Sequence, residues 1–140
     1  MNLLKRPSSL LLIISAILFG LSLAFNGFCL GQDNCWPGWG ILIMGAMGVM
    51  GLKGNLAWLA NPLLGACWGN VFYINRKNAV LLSCCALAFS IMPFLGFSVT
   101  TSESGTNYEH ISEYGLGYWL WLGSIVMACV AAFLTKSRIG

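Results

Sequence analysis

Long apolar stretches separated by short polar segments dominate the hydrophobic pattern of this chain. Residues 9–28, 79–97 and 115–135 contain no Asp, Glu, Lys, Arg or His. Each is about as long as the roughly 20 residues that a helix needs to cross the hydrocarbon core of a bilayer. The pattern therefore predicts three transmembrane helices over these ranges.

The region between Trp36 and Asn75 is apolar in two halves, which Lys53-Gly54-Asn55 separates. As one straight helix it would be about 60 Å long, roughly twice the thickness of the hydrocarbon core. Asn61 followed by Pro62 is typical of a helix start. We predict a span over residues 38–59 and a short interfacial or re-entrant helix over residues 62–75. In the alternative, residues 38–52 dip in from outside and residues 56–74 cross.

Charged residues separate into two sets along the chain. The segments 29–37 and 98–114 carry all four acids and no base, whereas six of the seven bases flank the other ends of the apolar stretches: Lys5, Arg6, Arg76, Lys77, Lys136 and Arg138. The positive-inside rule then predicts four crossings with both termini in the cytoplasm. A fifth crossing would put four of these bases outside.

The first apolar stretch follows two bases, as the apolar core of a signal peptide does. It is longer than the usual apolar core, and no small-x-small cleavage site follows it. We expect it to be an uncleaved first helix.

Composition supports membrane embedding. The 140 residues are 58% hydrophobic and 8% charged, against about 25% charged in ordinary globular domains. A soluble domain of this size needs more charged side chains than this to cover its surface. The sequence therefore predicts one all-α domain whose main partner is the lipid bilayer. The net charge of +3 comes from scattered bases, which is not the pattern of a nucleic-acid-binding face.

Cys29 and Cys35 flank the first external segment. An oxidising compartment favours a disulfide between cysteines this close, and two free thiols are the alternative. A redox-active pair is disfavoured because there is no Cys-x-x-Cys and no adjacent base. The other cysteines lie in apolar runs typical of small core residues: Cys67, Cys84, Cys85 and Cys129.

Glycine recurs at every third residue at Gly45, Gly48, Gly51 and Gly54. Small residues at helical spacing allow membrane helices to approach closely. The glycines therefore predict helix packing, either within the chain or against a copy or partner. A phosphate-binding loop is excluded because no Gly-Lys-Ser/Thr follows.

Aromatic residues gather where the predicted spans end. One group lies near the predicted outer boundary: Trp36, Trp39, Tyr108, Tyr114, Tyr118, Trp119 and Trp121. A second group lies nearer the inner boundary: Trp58, Trp68 and Tyr73. Interfacial belts explain this placement without a ligand, and an aromatic cage for a cation is the alternative.

Polar residues that could carry function are few. A helical turn at residues 110–113 would bring His110 to Glu113, as a weak cation site or a pH-sensitive contact; a solvated loop is the alternative. The candidates for pore lining or partner contact are Lys53, Asn55, Asn61, Asn70, Glu109, His110 and Glu113. With one histidine in the chain, we predict no catalytic residues, no metal site and no cofactor.

Three elements resemble a group of small bacterial membrane proteins without an assigned activity. They are Gly38-Trp39, residues 57–64 (AWLANPLL) and residues 117–122 (GYWLWL). The resemblance implies a bacterial inner membrane protein and carries over no functional residues.

The function that these features favour is a non-catalytic interaction or accessory subunit that self-associates or packs in a larger membrane complex. The three clear spans contain no Asp, Glu, Lys, Arg or His, although ion-coupled transporters usually have such groups within the membrane. The alternative is a homo-oligomeric pore or membrane-perturbing effector in bacterial defence. A thiol oxidoreductase would rest on Cys29 and Cys35 alone.

Overall fold

The computed structural model describes residues 6–31, 33–50, 56–73, 75–95, 99–100 and 108–136, and these are mostly helical. The described helices are α1 (Pro7–Ala24), α2 (Gly38–Met50), α3 (Ala60–Phe72), α4 (Arg76–Ser90) and α5 (Leu116–Leu134). Two 3-10 turns, Leu56–Leu59 and Met92–Leu95, precede α3 and follow α4. Each of the three plain apolar stretches therefore contains an α-helix, but residues 26–28 of the first lie in a β-strand and α4 ends at Ser90 within the second.

α1 and α5 are antiparallel and pack through small residues repeated at every seventh position. The buried residues of α1 are Ser8, Ser15 and Ser22, and α5 buries Gly117, Ser124 and Ala131 at the same spacing. A seven-residue repeat keeps one narrow face of a helix turned towards its neighbour, and small residues let the backbones approach.

Two contacts mark how close this α1–α5 approach is. The Ser15 hydroxyl donates a hydrogen bond to the Ser124 carbonyl over 2.6 Å. Near the end of α1, a Cβ atom built on Gly117 would lie 2.6 Å from the Phe25 carbonyl oxygen. Glycine is therefore required at that position unless the helices separate.

α3 lies beside α4 and α5 inside the bundle. Near its start, Asn61 accepts a hydrogen bond from the Trp121 indole over 2.8 Å. Six residues later the Cys67 thiol reaches the Ala128 carbonyl of α5 at 4.0 Å and the Ala79 carbonyl of α4 at 3.5 Å. α3 thus runs parallel to α5, and α4 runs antiparallel to both.

The region between Trp36 and Asn75 differs from our preferred prediction. The Trp58 indole donates a hydrogen bond to the Leu42 carbonyl over 2.7 Å, and a side chain at Gly45 would collide with the Trp58 ring. In one helix over residues 38–59, Leu42 and Trp58 would be about 24 Å apart. The prediction of one helix over residues 38–59 is therefore wrong, because the chain has turned back by Trp58. The helix after it, α3, packs within the bundle.

A small sheet covers the end of the bundle where α1 ends and α5 begins. Its strands are β1 (Asn26–Cys29), β2 (Cys35–Pro37) and β5 (Glu113–Tyr114), in the antiparallel order β2-β1-β5. A second pair joins β3 (Val99–Thr100) to β4 (Tyr108–Glu109). The all-α prediction is therefore wrong in these connecting segments, because strands this short are set by distant backbone partners.

Backbone bonds join the start of α2 to the end of α1, and the start of α5 to β1. The Gly38 amide, at the start of α2, donates to the Phe25 carbonyl over 2.9 Å, and the Gly115 amide, before α5, donates to the Gly27 carbonyl over 2.9 Å. The β1–β2 hairpin turns at Gly31, whose φ of 79° suits glycine. We call this end of the bundle the sheet end.

Charge differs between the two ends of the bundle. The described acids are in the segments of the sheet end: Asp33, Glu109 and Glu113. The described bases flank the opposite ends of α1, α4 and α5: Arg6, Arg76, Lys77 and Lys136. We call that opposite end the basic end.

Among the described residues, two helices are long and apolar enough to cross a membrane, namely α1 and α5. α3 and α4 have 13 and 15 residues, fewer than the roughly 20 that a single helix needs. α4 ends at Ser90 because a turn at Ile91 leads into the 3-10 turn that contains Pro93. The predicted span over residues 79–97 is thus a helix followed by a 3-10 turn.

The bundle places small polar residues inside and large apolar ones outside. Four serines are fully buried (0% exposed): Ser15, Ser83, Ser90 and Ser124. By contrast, the side chains of Leu10, Ile17 and Leu81 are 54%, 56% and 64% exposed. Exposed apolar surface of this kind is typical of a protein that contacts a membrane or a partner protein.

Replacing Ser15 with leucine tests the α1–α5 contact. Ser15→Leu overfills a closed seam and removes the bond to Ser124, so we expect a loss of about 1–3 kcal/mol, seen as a lower thermal unfolding midpoint in detergent. The matched control is Ala16→Leu, at the neighbouring exposed position of α1. Equal midpoints for the two variants would contradict the close approach.

Candidate functional site

A chain of side-chain hydrogen bonds joins three helices in the middle of the bundle. The Trp68 indole on α3 donates to the Ser15 hydroxyl on α1 over 3.0 Å, and that hydroxyl donates to the Ser124 carbonyl on α5 over 2.6 Å. Such bonds strengthen where the surroundings are apolar. The sequence prediction missed this chain, although the serines at every seventh residue of α1 were a visible signal.

The other buried hydroxyl groups also have partners. Ser83 donates to the Val80 carbonyl over 2.9 Å, and Ser90 donates to the Leu87 carbonyl over 2.7 Å, each within its own helix. Ser90 in turn offers its carbonyl to the Tyr118 hydroxyl of α5 at 2.7 Å. Buried serines of this kind satisfy themselves locally, so these hydroxyl groups lie in an otherwise apolar core without being left unpaired.

The candidate lining residues have separate environments. The Asn61 amide oxygen is held by Trp121, as described above, and the Asn70 amide nitrogen donates to the Ala66 carbonyl one turn earlier over 2.8 Å. Lys53 and Asn55 lie outside the described residues. The structure therefore does not bring these candidates together into one described polar surface.

The glycine repeat is described at one position. Gly45 faces the Trp58 ring, which fills the space that a side chain would occupy. This contact is packing within the chain. The side-chain surroundings of Gly48, and all of Gly51 and Gly54, lie outside the described residues.

The sulfur atoms of Cys29 and Cys35 lie at disulfide bond distance across the β1–β2 hairpin. Cys29 is buried and Cys35 is exposed. The Cys29 carbonyl accepts bonds from both the amide and the hydroxyl of Ser112, at 3.0 and 2.9 Å. The hairpin is thereby tied to the strand that leads into α5.

The predicted helical turn at residues 110–113 is not formed. Glu109 ends β4, Glu113 begins β5, and the residues between them are neither helix nor strand. Glu109, His110 and Glu113 are all exposed. In the described part of the chain, no three His, Cys, Asp or Glu side chains converge on a common point that could hold a metal ion.

Aromatic side chains cluster at the sheet end. The Phe94 ring lies 4.8 Å from Tyr114, 5.4 Å from Tyr118 and 5.9 Å from Trp119. Burial raises the pKa of the Tyr114 hydroxyl, so this group stays neutral and adds no charge to the cluster. These rings contact one another directly, which is the arrangement of a packed belt.

Two tryptophans differ from the predicted inner belt. Trp58 lies against α2 at the level of Leu42, and Trp68 reaches Ser15 in the middle of the bundle. Both indoles hold helices together.

Comparisons with protein families, with curated protein sequences and with solved structures found no match to this chain. The candidate site is therefore defined by the contacts within the bundle alone.

Removing the disulfide tests whether the bond between Cys29 and Cys35 stabilises the sheet end. The bond closes a hairpin with a sequence separation of 6, and chain-entropy arguments give about 2 kcal/mol for a loop of this length. We expect a reducing agent to lower the thermal midpoint of the wild-type protein in detergent. The double variant Cys29→Ser with Cys35→Ser should start at the lower midpoint and not respond to the reductant. A wild-type midpoint that is unchanged by full reduction would contradict this stabilisation by the disulfide.

Proposed function

We propose that this protein is a multi-pass protein of the bacterial inner membrane that acts as a non-catalytic packing subunit. The observation that carries the proposal is the distribution of side chains, with serine, alanine and glycine in the helix seams and many large apolar residues exposed on the outside. In lipid, close packing of small residues and interhelical hydrogen bonds drive helix association. The bacterial assignment comes from the resemblance of the three sequence elements.

In the proposed topology, the basic end faces the cytoplasm and the sheet end faces outward. α1, α4 and α5 each cross, the latter two joined by the external strands. α2 enters from the outer side for 13 residues, or about 20 Å, and the chain turns back before Trp58. The 3-10 turn and α3 then complete the fourth crossing, which leaves both termini inside.

Single cysteines at the two ends test this topology. In a variant with all six cysteines changed to serine, Glu109→Cys places a thiol at the sheet end and Asn78→Cys places one at the basic end; both native side chains are exposed. We expect a membrane-impermeant maleimide to label position 109 in intact spheroplasts, and position 78 only after lysis. The same labelling at both positions before lysis would contradict four crossings with both termini inside.

The described contacts support a packing subunit more than a pore formed by this chain. The buried serines and Asn61 use their polar atoms for bonds within the bundle. Water in a pore would have to compete for groups that are already paired. Purified protein in liposomes should therefore conduct no ions.

α2 offers the surface on which a partner helix would pack. It contacts α1 and the 3-10 turn before α3 on one side, while Trp39, Ile43 and Met47 remain 55–59% exposed on the other. These side chains form an exposed apolar face along α2. We propose that a second copy or another membrane subunit covers it.

Native mass spectrometry from nanodiscs tests the proposed subunit role. We expect the wild-type chain to appear with a second copy or a membrane partner, and Ile43→Trp to reduce that complex. Ile17→Trp, on the exposed face of α1, is the matched control and should leave it intact. A lone monomer with no co-purified membrane protein would overturn the proposal.

A further inference from the structure

The connection between α3 and α4 presents two aromatic rings and two bases at the surface of the basic end. Phe72 and Tyr73 are 61% and 81% exposed, and their rings contact each other edge to face at 5.9 Å. Arg76 and Lys77, at the start of α4, are also exposed. We call these four residues the basic–aromatic turn.

Backbone hydrogen bonds hold the two halves of this turn together. The Tyr73 amide donates to the Gly69 carbonyl over 2.9 Å, and the Asn75 amide donates to the Asn70 carbonyl over 2.8 Å. The rings are therefore kept close to the bases by the chain itself, without a partner.

Contacts between helices give the height of the turn along the bundle. Ser124, near the middle of α5, meets Ser15 near the middle of α1. One helical turn further along α5, about 6 Å, the Ala128 carbonyl lies beside Cys67 of α3, which also contacts the Ala79 carbonyl of α4. The basic–aromatic turn is about 7 Å further along α3, or about 13 Å from the middle of the bundle in all.

This height matches the level of lipid headgroups if the bundle is embedded in a membrane, as the proposed function states. The hydrocarbon core is about 30 Å thick, so it ends about 15 Å from its midplane. Aromatic rings such as that of tyrosine favour this boundary. Arg and Lys place their stems along apolar surface and their charged heads in the polar layer. The turn thus presents both bases at the level of the lipid phosphate groups.

Charge and shape together define the chemistry of a ligand for this turn. The sequence contains no Asp or Glu between Asp33 and Glu103, and the described acids lie at the sheet end. Arg forms paired hydrogen bonds with phosphate, and bases beside a membrane attract anionic headgroups. A phospholipid offers a phosphate to the bases and acyl chains to the exposed rings, whereas free phosphate has no apolar part.

We propose that the basic–aromatic turn binds the headgroup of an anionic phospholipid in the inner leaflet. Arg76 and Lys77 contact the phosphate, and the rings of Phe72 and Tyr73 lie against the glycerol and the upper acyl chains. The topology states only on which side of the membrane the bases lie. The proposed site adds a preference for anionic over zwitterionic lipid, located at this turn. It needs a bilayer but no partner subunit.

Nanodiscs with equal amounts of phosphatidylglycerol and phosphatidylcholine test this preference. The whole protein is released from them in a native mass spectrometer, and the retained lipids are identified by their mass. For the wild type we expect about a fivefold excess of retained phosphatidylglycerol, the effect of about one base at an anionic surface. Arg76→Gln with Lys77→Gln should retain the two lipids equally.

Lys136→Gln with Arg138→Gln is the matched control, because it also removes two bases that follow a helix of the basic end but leaves the turn unchanged. It should keep the excess of phosphatidylglycerol. Thermal midpoints show whether each variant is folded. Lipid retention is read on a monomer as well as on a complex, so failure of the subunit role leaves this result readable, and failure of the topology appears in the cysteine labelling.

Three results would overturn the lipid site. The wild type could retain both lipids equally, the folded Arg76 and Lys77 variant could keep the excess, or the control could lose it to the same extent. A co-purified protein that is lost from the Arg76 and Lys77 variant, with lipid retention unchanged, would show that a protein covers the turn and would overturn it too.

Discussion

The close approach of α1 and α5 is the contact on which the rest of the fold depends. Serine and glycine at every seventh position bring the two backbones together, and the approach is tight enough for a serine hydroxyl to reach a carbonyl on the neighbouring helix. The α1–α5 pair then presents two surfaces. α3 and α4 pack on one side of it, and α2 lies against α1. A larger residue in the seam would therefore disturb helices that it does not touch.

The sheet end holds this pair in register. β1 follows α1 directly, β5 precedes α5, and the two strands are neighbours in the sheet. Since strand pairing fixes residue against residue, it also fixes how far α1 and α5 are shifted along each other. The cysteine pair Cys29–Cys35 closes the hairpin on the other side of β1. A few short strands thus align helices of 18 and 19 residues.

The sequence predicted the helices better than the path between them. Uninterrupted apolar runs predicted α1 and α5 to within a few residues at most ends, and residues 115–135 became Leu116–Leu134. α4 ended earlier than predicted, because the turn at Ile91 and the Pro93 segment stop the helix. Asn61-Pro62 indicated a helix start nearby, but α3 begins at Ala60 after Leu59 as N-cap, and the Asn61 side chain bonds to Trp121 instead of capping the helix. Hydropathy could not reveal how far each half of the region between Trp36 and Asn75 extends along the bundle. An apolar helix that runs part of the way and one that runs the full length have the same composition.

The missed features share a physical cause, which is that they depend on partners far along the chain. β1 and β5 are separated by more than 80 residues, and neither is long enough to show an alternating pattern. The predicted turn around His110 failed for the same reason, since pairing with β1 holds Glu113 extended.

Trp68 looked like a belt residue by position, yet its indole is used for the hydrogen bond to Ser15. In apolar surroundings an unpaired indole N–H is costly. Trp68 avoids this cost through its bond to Ser15, whereas the buried Trp36 indole N–H has no hydrogen-bond partner in the described structure. Ser15 therefore carries more information about helix order than a leucine does, because its hydroxyl joins Trp68 of α3 to Ser124 of α5, whereas Ser83 and Ser90 donate within their own helix.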